Sequence, residues 1–213
     1  MNYQLAREQM IKRQIVGRGI KNPRLLEALQ TVPRHLFVPK RERGHAYADS
    51  PLPIGEGQTI SQPYIVAYMT ELLNLQGDET VLEIGTGSGY QAAILGELAA
   101  EIHTIERHEK LARTAQKLLA QLGYHNIHVH QGDGTLGLPE FAPYAAVMVT
   151  AAAPTVPRPL LEQLEDGGKL LMPVGEHFAQ VLELWQRQGE NFTTHKVAPV
   201  TFVPLLGKYG LGS

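Results

Sequence analysis

The sequence contains no cysteine and no long hydrophobic run. Without cysteine, a disulfide bond, an iron–sulfur cluster, a thiolate zinc site and a cysteine nucleophile are all excluded. Residues 1–19 are polar and charged, and they lack the apolar core of a signal peptide. No stretch approaches the length of a membrane span. We therefore expect a soluble, cytoplasmic protein that does not act in a membrane.

The charge is unevenly distributed along the chain. Residues 1–43 hold ten Lys or Arg and three Asp or Glu, a net charge of +7, whereas the remaining 170 residues have a net charge of −9. A basic segment can bind nucleic acid or an acidic partner, or it can be the solvated face of a helix. Because no aromatic residues are interleaved for stacking on bases, we favour the solvated face and expect no nucleic-acid partner.

The length and the 43% hydrophobic content predict a single domain over residues 1–213. Residues 1–75 mix helical stretches with loops that contain Pro and Gly, which predicts a helical and irregular N-terminal cap. In this cap, a helix is predicted over 61–73, and Ser61 is a good N-cap residue for it.

From residue 76 to residue 213, strands alternate with helices, which is typical of βαβ units and a parallel sheet. The predicted strands are 80–84, 101–106, 126–131, 144–150, 168–174, 180–186 and 195–205, and the predicted helices are 90–99, 108–123 and 156–165. The last two strands have no helix between them, so they predict an antiparallel edge. The expected fold is a doubly wound, mostly parallel α/β sheet of the Rossmann-like type.

A glycine-rich turn follows the first predicted strand of this core. Gly85, Gly87 and Gly89 allow a sharp turn and a close approach of the backbone to a ligand at the edge where such sheets bind ligands. The dinucleotide pattern G-x-G-x-x-G would need a glycine where Tyr90 stands. Glu83, two residues before the first glycine, would repel a pyrophosphate but suits a cation. S-adenosylmethionine carries an ammonium and a sulfonium, whereas the alternative is a tight turn without a ligand.

Two further acidic residues end successive predicted strands. Glu106 stands where an acid of a nucleoside-binding α/β fold accepts hydrogen bonds from ribose hydroxyls, although alone it could be a solvated loop residue. Asp133 lies between Gly132 and Gly134, where it could accept from an adenine amino group or simply form a turn. Taken together with the glycine-rich turn, these acids predict an S-adenosylmethionine site.

Three histidines need a separate interpretation. His128 and His130 alternate on one predicted strand, and His125 is nearby. A metal site is conceivable there. No acidic ligand lies within two residues of them, so we expect ordinary structural roles and no metal.

The chain resembles the protein-L-isoaspartate O-methyltransferase family over nearly its whole length. The Gln58–Pro63 segment and the terminal Phe202–Leu205 segment are the most specific motifs, whereas the glycine-rich turn is shared with many methyltransferases. The resemblance is carried by DSPLPIGEGQTISQP (49–63), VLEIGTGSGY (81–90), GDG (132–134), AAAP (151–154), DGGKLLMPVG (166–175) and FVPL (202–205).

The resemblance implies a protein-repair reaction. An enzyme of this family uses S-adenosylmethionine to methylate the free α-carboxylate of an L-isoaspartyl residue in a damaged protein or peptide. The ester then cyclises to a succinimide, which opens partly to normal aspartate. A carboxylate is ionised at neutral pH and needs no general base, so positioning and desolvation are what the protein must supply.

The resemblance also implies roles for single residues. Ser61 would be the catalytic residue that orients the substrate carboxylate, and Thr59 and Ile60 would join it at the cofactor. Phe202, Val203, Pro204 and Leu205 would line the groove for the substrate peptide, where an extended segment can hydrogen-bond a peptide backbone in a sequence-tolerant way. From the pattern alone, the same segment could be an ordinary edge strand.

Three positions depart from the family pattern. Ala145 replaces the usual aspartate after Tyr144, Thr150 stands where some members have glycine, and Leu206 stands where some have threonine. The cofactor acids stay intact. The alternatives to a repair enzyme are a methyltransferase of the same fold that acts on RNA or a small molecule, and a catalytically idle binding module. We expect a monomer.

Overall fold

The computed structural model describes residues 2–176 and 179–211. Its main sheet has seven strands in the order β5-β4-β3-β6-β7-β8-β9. These strands are β3 (Thr80–Ile84), β4 (Glu101–Glu106), β5 (Ile127–Gln131), β6 (Tyr144–Val149), β7 (Leu164–Glu176), β8 (Ala179–Gln188) and β9 (Asn191–Val200). The first five pair in parallel, and β7, β8 and β9 pair antiparallel to one another. The structure thus confirms the predicted fold class and its antiparallel edge.

Six helices and a small hairpin accompany the sheet in the described part of the chain. The helices are α1 (Tyr3–Met10), α2 (Pro23–Thr31), α3 (Pro63–Leu73), α4 (Tyr90–Gly96), α5 (Glu109–Gln121) and α6 (Arg158–Glu162), and the hairpin joins β1 (Leu52–Gly55) to β2 (Gln58–Ile60). A π-helical turn and short 3₁₀ turns extend the N-terminal region. No helix among these is long and apolar enough to span a membrane.

The apolar residues of the sheet explain why it is covered on both faces. In β3 every residue after Thr80 is buried, the near-continuous apolar run expected of a central parallel strand. Because side chains alternate along a strand, Val81 packs with the N-terminal helices and α4 in one hydrophobic cluster, and Leu82 and Ile84 pack with α6 in the other. The N-terminal region therefore shares its core with the sheet. The division at residue 75 stays a prediction.

Several predicted boundaries are wrong. The helix predicted over 61–73 begins at Pro63, so Gln62 precedes it and Ser61 is not its N-cap. The helix predicted over 156–165 covers only Arg158–Glu162, since Leu164 already pairs with Tyr144 in the sheet. The final strand ends at Val200 instead of residue 205. The physical reason in the last case is that residues 201–205 leave the edge strand and cross toward β6.

The main sheet reverses its winding at β3. Strand β4 lies on one side of β3 and β6 lies on the other. The chain therefore moves outward from β3 to β5 in one direction and from β6 to β9 in the opposite direction. Such a switch point leaves a crevice at the carboxyl ends of the strands. The glycine-rich turn follows Ile84 and therefore lies in this crevice.

Candidate active site

The glycine-rich turn is shaped by backbone conformations that favour glycine. Gly85 has a φ of +98° and donates its N–H to the Ile105 carbonyl at 2.9 Å. A Cβ on Gly85 would overlap the Thr150 hydroxyl, which itself donates to the Gly85 carbonyl at 2.8 Å. The turn thus leaves no room for a side chain on the side of β6, and its backbone stays open toward the crevice.

Three adjoining cavities open around this turn. The loop cavity is lined by residues that include Gln58, Thr59, Gly85, Gly87, Glu106, Arg107, His108, Gly134, Thr150 and Val203–Leu206. The inner cavity is lined by residues that include Thr59–Ser61, Gly85–Ser88, Tyr90, Thr150 and Phe202. The outer cavity, about 660 Å³, is lined by Pro51, Thr59, Ser61, Gln62, Ile65, Thr150 and Pro199–Val203. Thr59 and Thr150 line all three, so the cavities form one continuous site.

Glu106 lies where the sequence predicts a ribose acceptor. Its side chain is 5% exposed and lines the loop cavity. One carboxylate oxygen accepts from the Gly87 N–H and the other accepts from the His108 N–H, each at 2.8 Å. A carboxylate offers further lone pairs, so Glu106 can still accept from a ligand hydroxyl while it holds the turn and the start of α5.

Glu83 does not line any of the three cavities. It is fully buried behind the turn, where one carboxyl oxygen accepts from the Thr104 hydroxyl at 2.5 Å and the other has no partner. Burial raises the pKa of Glu83 to about 8, so the carboxyl group is mainly protonated at neutral pH. The structure therefore does not place a Glu83 carboxylate against a cationic ligand, contrary to the sequence argument. A chain of hydroxyls through Thr104 and Thr86 connects Glu83 to the inner cavity.

Asp133 holds the C-terminal segment. Its carboxylate accepts from the Thr135 N–H at 2.9 Å, from the Thr135 hydroxyl at 2.7 Å and from the Lys208 N–H at 2.8 Å. Desolvation works to raise the pKa of Asp133, but these hydrogen bonds outweigh it and lower the pKa below its usual value. Asp133 itself lies outside the loop cavity, although the adjacent Gly134 lines it. A role on an adenine amino group stays a prediction.

The third glycine of the turn has a packing role. Gly89 precedes α4 with a φ of +86°, and a Cβ there would press on Ala115 and Leu119 of α5 at 3.3 Å. It lines none of the three cavities. Gly89 therefore lets α4 and α5 pack closely, whereas Gly85 and Gly87 face the site.

Ser61 is placed at the junction of the inner and outer cavities. It follows β2, and its carbonyl accepts from the buried Arg34 Nη2 at 2.6 Å. Thr59 and Ile60 precede it along the same wall. The structure thus brings the three predicted residues together, with the serine held through its main chain.

Phe202 and Val203 line the outer cavity, whereas Pro204 and Leu205 line only the loop cavity, and most backbone groups of the segment are already bonded within the protein. The Phe202 N–H donates to Gln180 Oε1 at 2.6 Å, and the Phe202 carbonyl accepts from Gln180 Nε2 at 3.1 Å. The Val203 carbonyl and the Leu205 N–H bond to Ala152 at 2.8 and 2.7 Å. The predicted pairing of this segment with a peptide backbone over its length is therefore not available.

Several residues of this site are not predicted by the sequence. Thr150 was expected only to depart from a family pattern, yet its hydroxyl fixes the Gly85 carbonyl and it lines all three cavities of the site. Gln58, Arg107 and His108 line the loop cavity without having been singled out. Thr150 could have been predicted, because it directly follows a strand that ends beside the glycine turn. Nothing in the local pattern marks the others.

His103 on β4 and His128 and His130 on β5 form a cluster near the β5 edge of the sheet. None of these three histidines lines the three cavities. His103 Nδ1 lies 3.1 Å from His130 Nε2, and His128 Nε2 lies 3.2 Å from a carboxylate oxygen of Glu101. Burial lowers the pKa values of His103 and His130 below the usual value. Within residues 2–176 and 179–211, no group of three or more His, Asp or Glu side chains is arranged to hold a metal ion.

Comparison with known proteins gives a consistent set of relatives. The family model for protein-L-isoaspartate(D-aspartate) O-methyltransferases matches residues 5–210. Protein-L-isoaspartate O-methyltransferase 1 of Syntrophobacter fumaroxidans is 53% identical over 210 residues, which cover 99% of this chain and 98% of the relative. The Geobacter metallireducens protein-L-isoaspartate O-methyltransferase is 52% identical over 214 residues, which cover 100% of this chain and 99% of the relative.

Solved structures agree with this grouping. A protein-L-isoaspartate O-methyltransferase structure with 27% identity has a TM-score of 0.87 and covers 96% of this chain and 67% of its own. A Plasmodium falciparum structure in complex with S-adenosyl-L-homocysteine has 22% identity and a TM-score of 0.82, and covers 97% of this chain and 99% of its own. At 22% identity, the likeness to the Plasmodium falciparum structure shows a shared fold alone.

Proposed function

We infer how the site works from a premise that the comparisons establish: the chain belongs to the protein-L-isoaspartate(D-aspartate) O-methyltransferase family. It is an S-adenosylmethionine-dependent enzyme of protein repair, and it methylates the free α-carboxylate of L-isoaspartyl residues. The three connected cavities divide naturally between these two ligands. We assign the loop cavity to the cofactor and the outer cavity to the isoaspartyl residue.

The residues of the loop cavity fit this cofactor. The open backbone of Gly85 and Gly87 allows close approach, and Glu106 would accept from ribose hydroxyls. Gly134 lets this part of the wall pack directly on Ile84, because a Cβ there would lie 2.5 Å from the Ile84 side chain. When bound, S-adenosylmethionine supplies a methyl group that its positively charged sulfur activates for transfer.

The observation that carries the substrate assignment is the composition of the outer cavity. No charged side chain lines it, whereas the hydroxyl residues Thr59, Ser61 and Thr150 line both this cavity and the inner cavity beside the turn. A carboxylate that enters is removed from water and can accept hydrogen bonds from the Thr59 and Ser61 hydroxyls, whereas the Thr150 hydroxyl already donates to the Gly85 carbonyl. Ser61 is the proposed catalytic residue, because it lies at the boundary between the inner and outer cavities and can orient the carboxylate toward the cofactor.

The protein supplies position and desolvation, and no proton transfer is needed. An α-carboxylate is ionised at neutral pH and already nucleophilic. Apolar side chains such as Ile65 and Phe202 border the route from the outer to the inner cavity. They exclude water from the reacting carboxylate and leave its orientation to the hydroxyls.

We further propose a monomeric, cytoplasmic enzyme that has no nucleic-acid partner. Part of the basic surplus of residues 1–43 is engaged by other groups of the protein itself, which supports this view. Arg34 is buried, Arg24 donates to two backbone carbonyls, Arg7 donates to the Thr31 carbonyl, and Arg18 pairs with Asp49 at 2.9 Å. Light scattering of the purified protein tests the oligomeric state against the monomer mass of 23.5 kDa.

The reaction is tested with labelled S-adenosylmethionine and two peptides that differ only in Asp versus isoAsp. We expect base-labile methyl groups on the isoAsp peptide alone. Ser61→Ala should lower kcat/KM for that peptide about tenfold, the value of one hydrogen bond to a charged group. Thr114→Ala, which removes an exposed hydroxyl on α5, is the control. Equal activity of the Ser61 and Thr114 variants would contradict the role given to Ser61.

A further inference from the structure

Arg34 is a fully buried arginine without a carboxylate partner. Its side chain is 0% exposed, at the start of a 3₁₀ turn formed by Arg34–Leu36. In the part of the chain that the structure describes, no Asp or Glu oxygen lies within salt-bridge distance of it. Burial lowers the pKa of Arg34 from its usual value, but a guanidinium stays protonated in proteins. The protein therefore holds a positive charge in its interior that no carboxylate contacts directly, and Asp49 acts on it only at longer range.

Main-chain carbonyls and an aromatic ring replace the missing carboxylate. Arg34 Nε donates to the Ala46 carbonyl at 2.7 Å, and Nη2 donates to the Ser61 carbonyl at 2.6 Å. The guanidinium carbon lies 4.8 Å from the centre of the Tyr90 ring. Nη1 and the Tyr90 hydroxyl are both buried, and neither makes a well-aligned hydrogen bond, but the two side chains interact with each other in a way that favours the charged guanidinium. A buried charge is costly unless its surroundings compensate it, so this arrangement needs a reason other than stability.

The partners of Arg34 belong to the active site. Ser61 and Tyr90 both line the inner cavity, and Ser61 also lines the outer cavity. The cation thus lies behind a wall whose exposed side carries hydroxyls and no charged group. Its field favours an anion in the cavity, because a low-dielectric interior screens a charge much less than water does.

We propose that Arg34 is a positioning residue for the substrate carboxylate, because it fixes the main chain of Ser61 and holds a positive charge behind the serine. This inference rests on the proposed function, in which Ser61 binds that carboxylate. Arg34 does not itself contact the substrate. It acts by keeping the serine in place and by making the uncharged outer cavity selective for an anion.

Arg24 provides a control with similar chemistry and a different location. It donates from Nη1 to the Leu75 carbonyl at 2.9 Å and from Nη2 to the Leu98 carbonyl at 2.8 Å, which ties α2 to the core. Arg24 is more exposed than Arg34, and neither Leu75 nor Leu98 lines the three cavities. A purely structural arginine is therefore available in the same protein.

The test compares Arg34→Met, Arg34→Lys and Arg24→Met. For each full-length variant, KM and kcat for the isoAsp peptide, the Kd for S-adenosylhomocysteine and the Tm are measured. We expect Arg34→Met to raise KM about tenfold and to change kcat less, with cofactor-product affinity close to that of the parent. Arg34→Lys keeps the charge and should recover about half of that loss on a logarithmic scale. Arg24→Met should lower Tm and leave KM unchanged.

Two results would overturn the inference. One is an equal KM for the Arg34→Met and Arg24→Met variants at equal loss of Tm. The other is a parallel loss of S-adenosylhomocysteine affinity, which would indicate general loosening of the site. If Arg34→Met does not fold, Arg34→Lys decides, because a lysine ammonium cannot reproduce the planar contacts to both carbonyls. An unchanged KM in the lysine variant would then count against the proposal.

Ser61→Ala separates this inference from the proposed function. If Ser61→Ala lowers kcat/KM for the isoAsp peptide and Arg34→Met leaves KM unchanged, only the role of Arg34 fails. If Ser61→Ala leaves kcat/KM unchanged, the assignment of Ser61 fails and the role of Arg34 fails with it. In the double variant, we expect the two effects on KM to be less than additive, because Arg34 acts in part through Ser61.

Discussion

At the scale of single residues, Glu106 holds two separate segments of the chain together. Its two oxygens accept the N–H groups of Gly87 and His108, so the carboxylate joins the glycine-rich turn to the start of α5. These are charge-assisted bonds, which are stronger than bonds between neutral groups. The residue therefore shapes the loop cavity before any ligand enters it.

Glu106→Gln should weaken cofactor binding. A carboxamide has one acceptor oxygen, so its NH₂ group would face one of the two backbone N–H groups that the carboxylate holds. We expect the Kd for S-adenosylhomocysteine to rise about tenfold or more, as measured by calorimetry. Glu109→Gln, an exposed change on the first turn of α5, is the matched control. Similar Kd values for the two variants would refute the role of Glu106.

At the scale of elements, the Gln180 side chain bonds the backbone of the segment after β9 in the way that a neighbouring strand would. Gln180 on β8 is 5% exposed, and its carboxamide bonds both the N–H and the carbonyl of Phe202. These bonds hold residues 201–203 over the outer cavity after the ladder of β9 has ended. This wall of the outer cavity is thus attached to β8 through the Gln180 side chain, and the bonds of Val203 and Leu205 to Ala152 attach its far end.

Gln180→Leu should release this wall. The variant leaves both backbone groups of Phe202 without partners, which costs about 1–3 kcal/mol where they are buried. We expect an increase in KM for the isoAsp peptide and an unchanged Kd for S-adenosylhomocysteine. These are measured by steady-state kinetics and calorimetry.

The control for this change is Gln163→Leu. The Gln163 carboxamide is 8% exposed and makes the same two kinds of bond, to the Leu138 N–H and the Leu136 carbonyl, each at 2.8 Å. None of these three residues lines the cavities. The Gln163→Leu variant should lose about as much stability as Gln180→Leu and keep the KM of the parent. A rise in KM in both variants would show that the effect is not specific to the wall of the outer cavity.

At the scale of the whole molecule, Glu83 places an ionisable group in the centre of the sheet. It lies on β3, between β4 and β6, and is fully buried. Burial raises its pKa to about 8 from an ordinary value of 4.5. The folded state therefore binds this proton more tightly than the unfolded state does. The stability that protonated Glu83 contributes to the folded state is fully present below about pH 4.5 and is lost as the pH rises through about 8.

Glu83→Gln should remove this dependence on pH. Glutamine is neutral at every pH, so the variant should gain stability relative to the parent as the pH rises. Urea unfolding at about pH 5 and about pH 9 should show a relative gain of more than about 1 kcal/mol. Glu97→Gln, a change at an exposed glutamate, should show no such trend. A difference between Glu83→Gln and the parent that does not vary with pH would contradict the buried, protonated state.

The sequence by itself determined the alternation of strands and helices and the position of the ligand edge. Strands over 80–84 and 101–106 were predicted with the bounds that the structure has, and the helix predicted over 108–123 is found at Glu109–Gln121. Apolar runs and helical periodicity are local properties, so they can be read along the chain. The glycine turn and Glu106 could be placed for the same reason.

Only the tertiary structure decided what the polar groups of the site contact. Glu83 was expected to face a cation, but packing on both sides of β3 buries it and leaves it protonated. Asp133 meets Lys208, and Arg34 meets Ser61, across separations of 75 and 27 residues. Because burial and hydrogen-bond partners come from contacts between distant parts of the chain, no local pattern could reveal them.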